Sequence, residues 1–150
     1  MSLNKQDLID ALNSLPNSKD NLSASEQFAL AFEKYFKNAV ANGTISVQLS
    51  STTLQPILLE TMNSNTVLQT LGTSIQSWAS TWIFADPTFT SSATVAVGAS
   101  LDAELAIVAN DPANGTIETL AEKIHNWATL NITTTLTNNQ SGATIPGEVT

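Results

Sequence analysis

The chain contains one thirteen-residue pattern twice, as Leu68-Gln-Thr-Leu-Gly-Thr-Ser-Ile-Gln-Ser-Trp-Ala-Ser80 and as Ile117-Glu-Thr-Leu-Ala-Glu-Lys-Ile-His-Asn-Trp-Ala-Thr129. Five positions are identical, and they include two of the three tryptophans. The apolar residues follow steps of four and then three, which mark one face of a helix. The matched triplets are Leu71, Ile75 and Trp78, then Leu120, Ile124 and Trp127, with a looser third set in Phe28, Phe32 and Tyr35.

Working outward from these triplets, the sequence predicts a unit of short helix, long helix and strand that is used three times. Capping residues, apolar periodicity and the turns around Asn42-Gly43, Asp86-Pro87 and Asp111 to Gly115 set the boundaries. The predicted short helices are Leu3 to Leu15, Thr53 to Met62 and Ser100 to Ala109; the long helices are Ser23 to Ala41, Thr66 to Trp82 and Thr116 to Leu130; the strands are Thr44 to Leu49, Thr94 to Val97 and Asn131 to Leu136.

We therefore predict a single, helix-dominated α+β domain over residues 1–136, with approximate threefold internal repetition. Tyr35, Trp78 and Trp127 are expected to pack together in one central core. An irregular α+β domain with only generic helix patterning is the alternative. Residues 137–150 are rich in Asn, Gly, Thr and Pro, and we expect them to form an extended C-terminal tail or docking arm. Deleting everything after Leu136 should then leave the helical fold intact.

The composition excludes several functional classes. Only 12% of residues are charged, against about 25% in an average protein, and the net charge is −8. There are five lysines and no arginine, so we expect no direct contact with nucleic acid or with a membrane surface, both of which need clustered cations. The absence of cysteine excludes disulfides and thiolate chemistry. The polar N-terminus predicts synthesis in a cytoplasm without a cleaved signal peptide.

Candidates for catalysis are sparse. His125 is the only histidine, and it lies beside the apolar face of its helix without an obvious partner. Asp102 and Glu104 stand in the first turn of a helix, where acids stabilise the helix dipole. Ser100 suits a helix N-cap better than a nucleophile elbow, because the second glycine of that motif is missing. Asp111 lacks the alternating oxygen ligands of a calcium loop. We therefore predict no enzyme activity, cofactor or metal.

The joints between long helix and strand carry a resemblance. Phe32 to Val47, Leu120 to Thr135 and the closing Ser141-Gly-Ala-Thr-Ile-Pro-Gly147 are similar to segments of small virion proteins of tailed bacteriophages. In that group an amphipathic helix passes into a Thr/Val-rich strand, and a Gly/Pro-rich tail often closes the chain. The resemblance implies a non-enzymatic structural subunit located in the virion. Neck, tail, baseplate and capsid-decoration positions all remain open.

The expected partners are other virion proteins and further copies of the chain itself. We predict that the contacts involve the C-terminal segment, through Ile132, Thr134, Leu136, Ile145, Pro146 and Val149. Alternating strands such as Thr44 to Leu49 can pair across subunits if they lie at a sheet edge. The alternative function is a small binding module that recognises a polar ligand such as a glycan through an exposed Trp82 or Phe89.

Overall fold

The computed structural model describes residues 2–15, 20–49, 67–95, 100–111 and 115–150, together with positions 54, 58, 59, 63 and 113. Within this part of the chain, helices and strands form one α+β domain, as predicted. The helices are α1 (Lys5–Asn13), α2 (Asn21–Phe36), α3 (Val67–Ala79), α4 (Leu101–Ala109) and α5 (Ile117–Asn131). The strands are β1 (Val40–Ala41), β2 (Ile45–Gln48), β3 (Ile83–Ala85), β4 (Phe89–Val95), β5 (Ile132–Asn138) and β6 (Thr144–Glu148).

Side-chain caps fix the starts of the helices. Ser100 caps α4 as predicted, since its Oγ accepts a hydrogen bond from the Ala103 backbone N–H. Asn4 caps α1, and Asp20 caps α2 by accepting from the Ser23 N–H at 2.8 Å. Ser23 is thus a donor inside the first turn, because the carboxylate of Asp20 satisfies the N–H groups that a helix start leaves open.

Each long helix leads into a β-hairpin, where the sequence had predicted a single strand. Helix α2 precedes β1–β2, α3 precedes β3–β4, and α5 precedes β5–β6. Helix α2 ends at Phe36 and not at Ala41. Asn42 and Gly43 both have positive φ, 50° and 77°, so this pair forms the β1–β2 turn instead of a helix C-cap. Left-handed geometry at an Asn-Gly pair is what a tight hairpin turn requires.

The six strands follow one another in chain order, and every neighbouring pair is antiparallel. The two outer strands also meet. Val40 and Thr150 exchange backbone hydrogen bonds of 3.0 Å in both directions, and the Asn42 N–H donates to the Glu148 carbonyl at 2.9 Å. The sheet therefore closes on itself as a ring where residues 40–42 meet residues 148–150, while residues 144–147 of β6 pair only with β5 among the described strands.

The predicted tail is wrong: part of residues 137–150 is the last strand of this ring. Strand β6 pairs with β5 from Thr144 to Glu148, and Val149 forms a bridge with Ala41. Strand β5 itself continues to Asn138 instead of ending at Leu136. A polar segment can form a strand here because most of its side chains stay in water. Of its last seven residues, only Gly147 and Val149 are buried.

The core lies between the buried face of the sheet and the apolar faces of the helices. Its centre is a set of three rings in contact: Phe36, Trp78 and Trp82, with centroid separations of 4.9 to 5.6 Å. Tyr35 joins through Phe36 at 4.7 Å. Tyr35, Trp78 and Trp127 are all buried in the same core, as predicted. Trp127, however, contacts no other aromatic ring within the described residues, so the three repeat positions do not form a symmetrical trio.

The predicted second short helix, Thr53 to Met62, lies almost entirely outside the described residues. Leu54 and Leu58 are helical and fully buried in the core. Among the described helices, none combines the length and the apolar character that a bilayer crossing requires.

Helices α3 and α4 touch at their backbones. A Cβ atom added to Gly72 would lie 2.5 Å from the backbone nitrogen of Asp102 and 2.6 Å from its Cα. Those atoms belong to the first turn of α4 and cannot move aside as a side chain would. Gly72 occupies the repeat position that Ala121 fills in the second copy of the sequence pattern. The two copies therefore differ at the position where the close helix crossing leaves no room for a Cβ atom.

The first prediction concerns this crossing. We expect Gly72→Ala to lower the free energy of unfolding by about 1–3 kcal/mol, because an overpacked contact outweighs alanine's better helix propensity. Urea denaturation measures the change. Ser77→Ala, at an exposed position on the same helix, is the matched control and should change stability by no more than about 0.5 kcal/mol. Equal or greater stability of Gly72→Ala would contradict the close crossing.

The second prediction concerns ring closure. Deleting residues 144–150 removes β6 and both hydrogen bonds to Val40, and it uncovers Leu136 and Thr134. We expect the shortened chain to show no cooperative thermal transition when unfolding is measured by circular dichroism. A cooperative transition with native helical signal would restore the original interpretation of this segment as a tail.

Candidate functional site

The structure divides the six predicted contact residues into two groups. Ile132, Leu136 and Val149 are buried in the chain's own core. Thr134 is buried as well, and its Oγ1 donates to the Ser92 carbonyl at 2.8 Å, which ties β5 to β4. These four side chains therefore pack inside the molecule and not against a partner. The remaining two lie at the surface: Ile145 is 40% exposed, and Pro146 is exposed.

The opposite side of the same strands is a surface of small hydroxyl side chains. Because side chains alternate along a strand, the outward positions of β4, β5 and β6 share one face of the sheet. We call this surface the hydroxyl face. Its members, all exposed, are Thr90, Ser92, Thr94, Thr133, Thr135, Thr137 and Thr144.

Strand register arranges the hydroxyl face in rows. Thr94 lies opposite Thr133, and Thr90 lies opposite Thr137, which in turn lies opposite Thr144. At the β5–β6 pair, Thr135 faces Pro146 and Thr133 faces Glu148. Glu148 is the charged residue that borders these rows. A neighbouring molecule can therefore approach this surface without removing many charges from water, a step that is costly when the charges remain unpaired.

A recess of about 510 Å³ opens at one margin of the hydroxyl face. Its walls include Thr133, Thr135, Pro146 and Glu148, and Asn42 lies across from them. The Asn42 amide holds this margin in place: Nδ2 donates to the Pro146 carbonyl at 3.2 Å, and Oδ1 accepts from the Glu148 N–H at 3.0 Å. The side chain thus extends the ladder between β1 and β6 by two hydrogen bonds.

Pairing with a strand of another subunit is excluded for β2, which lies within the predicted strand Thr44 to Leu49, and for β5. Strand β2 already pairs with β1 and β3, and β5 already pairs with β4 and β6. Neither is an edge strand, because each lies between two neighbours in the sheet. A partner that meets the sheet at β2 or β5 must therefore contact a face and its side chains.

His125 has a specific partner that lies 90 residues away in the sequence. Its Nδ1 is 2.6 Å from the phenol oxygen of Tyr35, which is fully buried. Burial raises the pKa of the Tyr35 phenol, and the nearby Asp7 carboxylate adds to the effect. Burial also lowers the pKa of His125, with a smaller contribution from the positive charge of Lys5. The phenol therefore stays protonated and the imidazole neutral around neutral pH, and the hydrogen bond between them is a structural tie between α2 and α5.

The other candidates for chemistry do not gather around His125. Glu104 forms an ion pair with Lys123 at 2.9 Å, which links α4 to α5. Ser100 is occupied at the start of α4, where its hydroxyl bonds the Asp102 carboxylate. Asp111 is exposed. In the part of the chain that the structure describes, no three His, Asp or Glu side chains are grouped in a way that suits a metal ion.

The residues that could contact a glycan also differ from those predicted. Trp82 is completely buried and Phe89 packs against the core, so stacking of a sugar on Trp82 is excluded. A recess of about 380 Å³ lies instead between α4 and α5, where its walls include Ser100, Asn126, Trp127 and Leu130. The indole N–H of Trp127 is buried without a hydrogen-bond acceptor in the described structure.

Two functional features escaped sequence reasoning. The role of Asn42 was hidden because an Asn-Gly pair after a helix indicates a C-cap as readily as a hairpin turn. The hydroxyl face was hidden because β6 had been interpreted as a tail. The alternation of Thr133, Thr135 and Thr137 was the available signal, since it continues the period of two beyond Leu136.

Comparison with known proteins adds no identity, because no family model, curated protein or solved structure matches the chain.

The third prediction follows from His125. The folded chain lowers the pKa of this histidine below its ordinary value, so the folded state binds fewer protons than the unfolded state. The contribution to stability is complete above about pH 6.5 and is lost as the pH falls through the window beneath that value. We expect the stability difference between the wild type and His125→Gln, measured by urea denaturation, to shrink with falling pH. A difference that grows as the pH falls would contradict the assignment.

Proposed function

We propose that this chain is a non-enzymatic structural subunit of a tailed-phage virion that acts through contacts between repeated copies and with other virion proteins. The observation that carries the proposal is the hydroxyl face, an exposed and nearly uncharged surface on a closed sheet. Because β4 and β5 are interior strands of the sheet, copies that meet at the hydroxyl face do so through side chains and not by adding strands.

The surface chemistry supports this role. A net charge of −8 is spread over a chain with only 18 charged residues, and the outward positions of β4, β5 and β6 carry just one of them, Glu148 at the border of the hydroxyl face. Threonine and serine can form hydrogen bonds across an interface in either direction. They also lose little side-chain entropy when a partner covers them, compared with lysine or glutamate. Such a surface suits close packing of many identical copies.

The virion assignment rests on the likeness of Phe32 to Val47 and Leu120 to Thr135 to segments of tailed-phage structural proteins. Those two segments correspond to the joints where α2 leads into β1–β2 and where α5 leads into β5. They include Val40 and the start of the strand that carries Thr133 and Thr135. The part of the chain that resembles virion proteins thus also builds the ring and the hydroxyl face.

The fourth prediction tests assembly of the full chain. We expect the wild type to form particles larger than a monomer at tens to hundreds of micromolar, by sedimentation velocity, and regular assemblies by electron microscopy. Thr135→Lys places a charge at the centre of the hydroxyl face, and like charges that face each other across an interface are unfavourable. We expect this variant to weaken assembly about tenfold or more.

Thr73→Lys is the matched control, because Thr73 is exposed on α3 and away from the sheet. It adds the same charge and should assemble as the wild type does. Equal loss of assembly in both variants would point to net charge and not to the hydroxyl face. A chain that stays monomeric at all these concentrations would contradict the structural role itself.

The recess beside Trp127 supports a second candidate, a small module that binds a polar ligand. Its walls include Asn126, Ser100 and Trp127, and the Trp127 indole N–H is buried without an acceptor in the described structure. The same sedimentation experiment separates the two candidates. A persistent monomer whose Trp127 indole NMR signal shifts on addition of maltose supports the binding module and not the subunit.

A further inference from the structure

One side of α2 is exposed in the part of the chain that the structure describes. Its buried side contributes Phe32, Tyr35 and Phe36 to the core. Positions one turn apart on the outer side form what we call the α2 stripe, which consists of Leu22, Glu26, Leu30, Lys34 and Lys37, all exposed. Leu22 is 49% exposed and Leu30 is 60% exposed. Two large aliphatic side chains thus face water on a helix whose apolar residues otherwise point inward.

The charges of the α2 stripe are separated along the helix. Glu26 stands before Leu30, and Lys34 and Lys37 follow it. Glu26 and Lys34 are eight residues apart, which is about 12 Å along the axis, so they are too distant for an ion pair with each other. Neither forms an ion pair elsewhere in the described structure. The stripe therefore has an acidic end, an aliphatic centre and a basic end.

We propose that the α2 stripe is a two-fold contact between two copies of this chain, with the two α2 helices antiparallel and crossing at Leu30. In this arrangement Leu30 meets Leu30 of the second copy. Glu26 faces Lys34 of the second copy, and the symmetry axis repeats that pair on the other side. A two-fold contact requires such a self-complementary surface, and the order of charges on α2 supplies it only when the helices are antiparallel.

The surface beside the stripe also fits this arrangement. A recess of about 390 Å³ is lined by Leu30, Glu33, Lys34, Lys37 and Leu49. Antiparallel packing brings Leu22 of the second copy to the C-terminal end of α2, where this recess lies. The aliphatic stems of Lys34 and Lys37 can line the recess while their amino groups remain in water. Each copy thus offers a leucine and a recess to the other.

The inference deepens the proposed function and rests on it, since it names a surface through which copies meet. It is distinct from the hydroxyl face, which lies on β4 to β6. A two-fold contact alone ends at a dimer, whereas a second, independent contact allows further copies to be added. The buried area of one helix pair is small, so we expect a weak and concentration-dependent dimer.

The fifth prediction is a charge-reversal cycle on the full-length chain, measured by sedimentation equilibrium. Glu26→Lys alone and Lys34→Glu alone each place like charges opposite each other twice, and each should raise the dimer dissociation constant about tenfold. The double variant Glu26→Lys with Lys34→Glu exchanges the two charges and should restore the wild-type value. Leu30→Glu should remove the dimer.

Glu118→Lys is the control, because it makes the same charge change at an exposed position on α5. It should leave the dimer unchanged. The circular dichroism spectra of all variants should match the wild type, since every altered side chain is exposed. Failure of the double variant to restore the dimer overturns the antiparallel arrangement.

Assembly that responds to Thr135→Lys but to none of the α2 variants overturns this inference and leaves the proposed function standing. A wild-type chain that stays monomeric overturns both.

Discussion

The backbone pairing between Val40 and Thr150 determines what the rest of the molecule can do. Two hydrogen bonds of 3.0 Å join the first strand to Thr150, two residues beyond the last strand, and Asn42 adds backbone and side-chain bonds to the same region. An open six-stranded sheet would present two unpaired edges to solvent and to other chains. Closure satisfies the backbone groups where residues 40–42 meet residues 148–150. The outer side of β4 and β5 is then open to a partner through its side chains.

The helices stabilise this ring through a core that is aromatic at its centre. Trp78 meets Phe36 at 75° and Trp82 at 89°, which is the edge-to-face geometry that aromatic pairs favour, while Phe36 and Trp82 are tilted at 53°. Phe36 comes just before β1 and Trp82 just before β3. The same contacts that bury the helices thus also position the starts of two hairpins. The Tyr35–His125 hydrogen bond adds a polar tie between α2 and α5 inside this core.

The two proposed contact surfaces have different chemistry and lie on different elements. The hydroxyl face consists mainly of threonine and serine side chains, with a single charge, Glu148, at its border. The α2 stripe joins two exposed leucines to charges that are complementary only when two helices run in opposite directions. A subunit with one two-fold contact and one separate face can extend an assembly beyond a dimer. That property is what a repeated structural component needs.

The sequence by itself determined the long helices, their buried faces and the presence of strands after them, because apolar spacing and capping residues are local signals. Helices α3, α4 and α5 fall close to the predicted limits, and the α+β class follows from the alternation of helices and strands. Tertiary structure alone decided that Asn42-Gly43 is a hairpin turn, that Thr144 to Glu148 is a strand, and that Thr134 and Val149 are buried. Each of these depends on a partner far away in the chain. Asn42 bonds Glu148, and Val149 forms a bridge with Ala41. Strand β6 pairs with the part of β5 that contains Thr134 and Leu136. A weakly apolar segment forms a strand when a neighbouring strand supplies partners for its backbone hydrogen bonds. Local sequence patterns do not show which distant segment will be that neighbour.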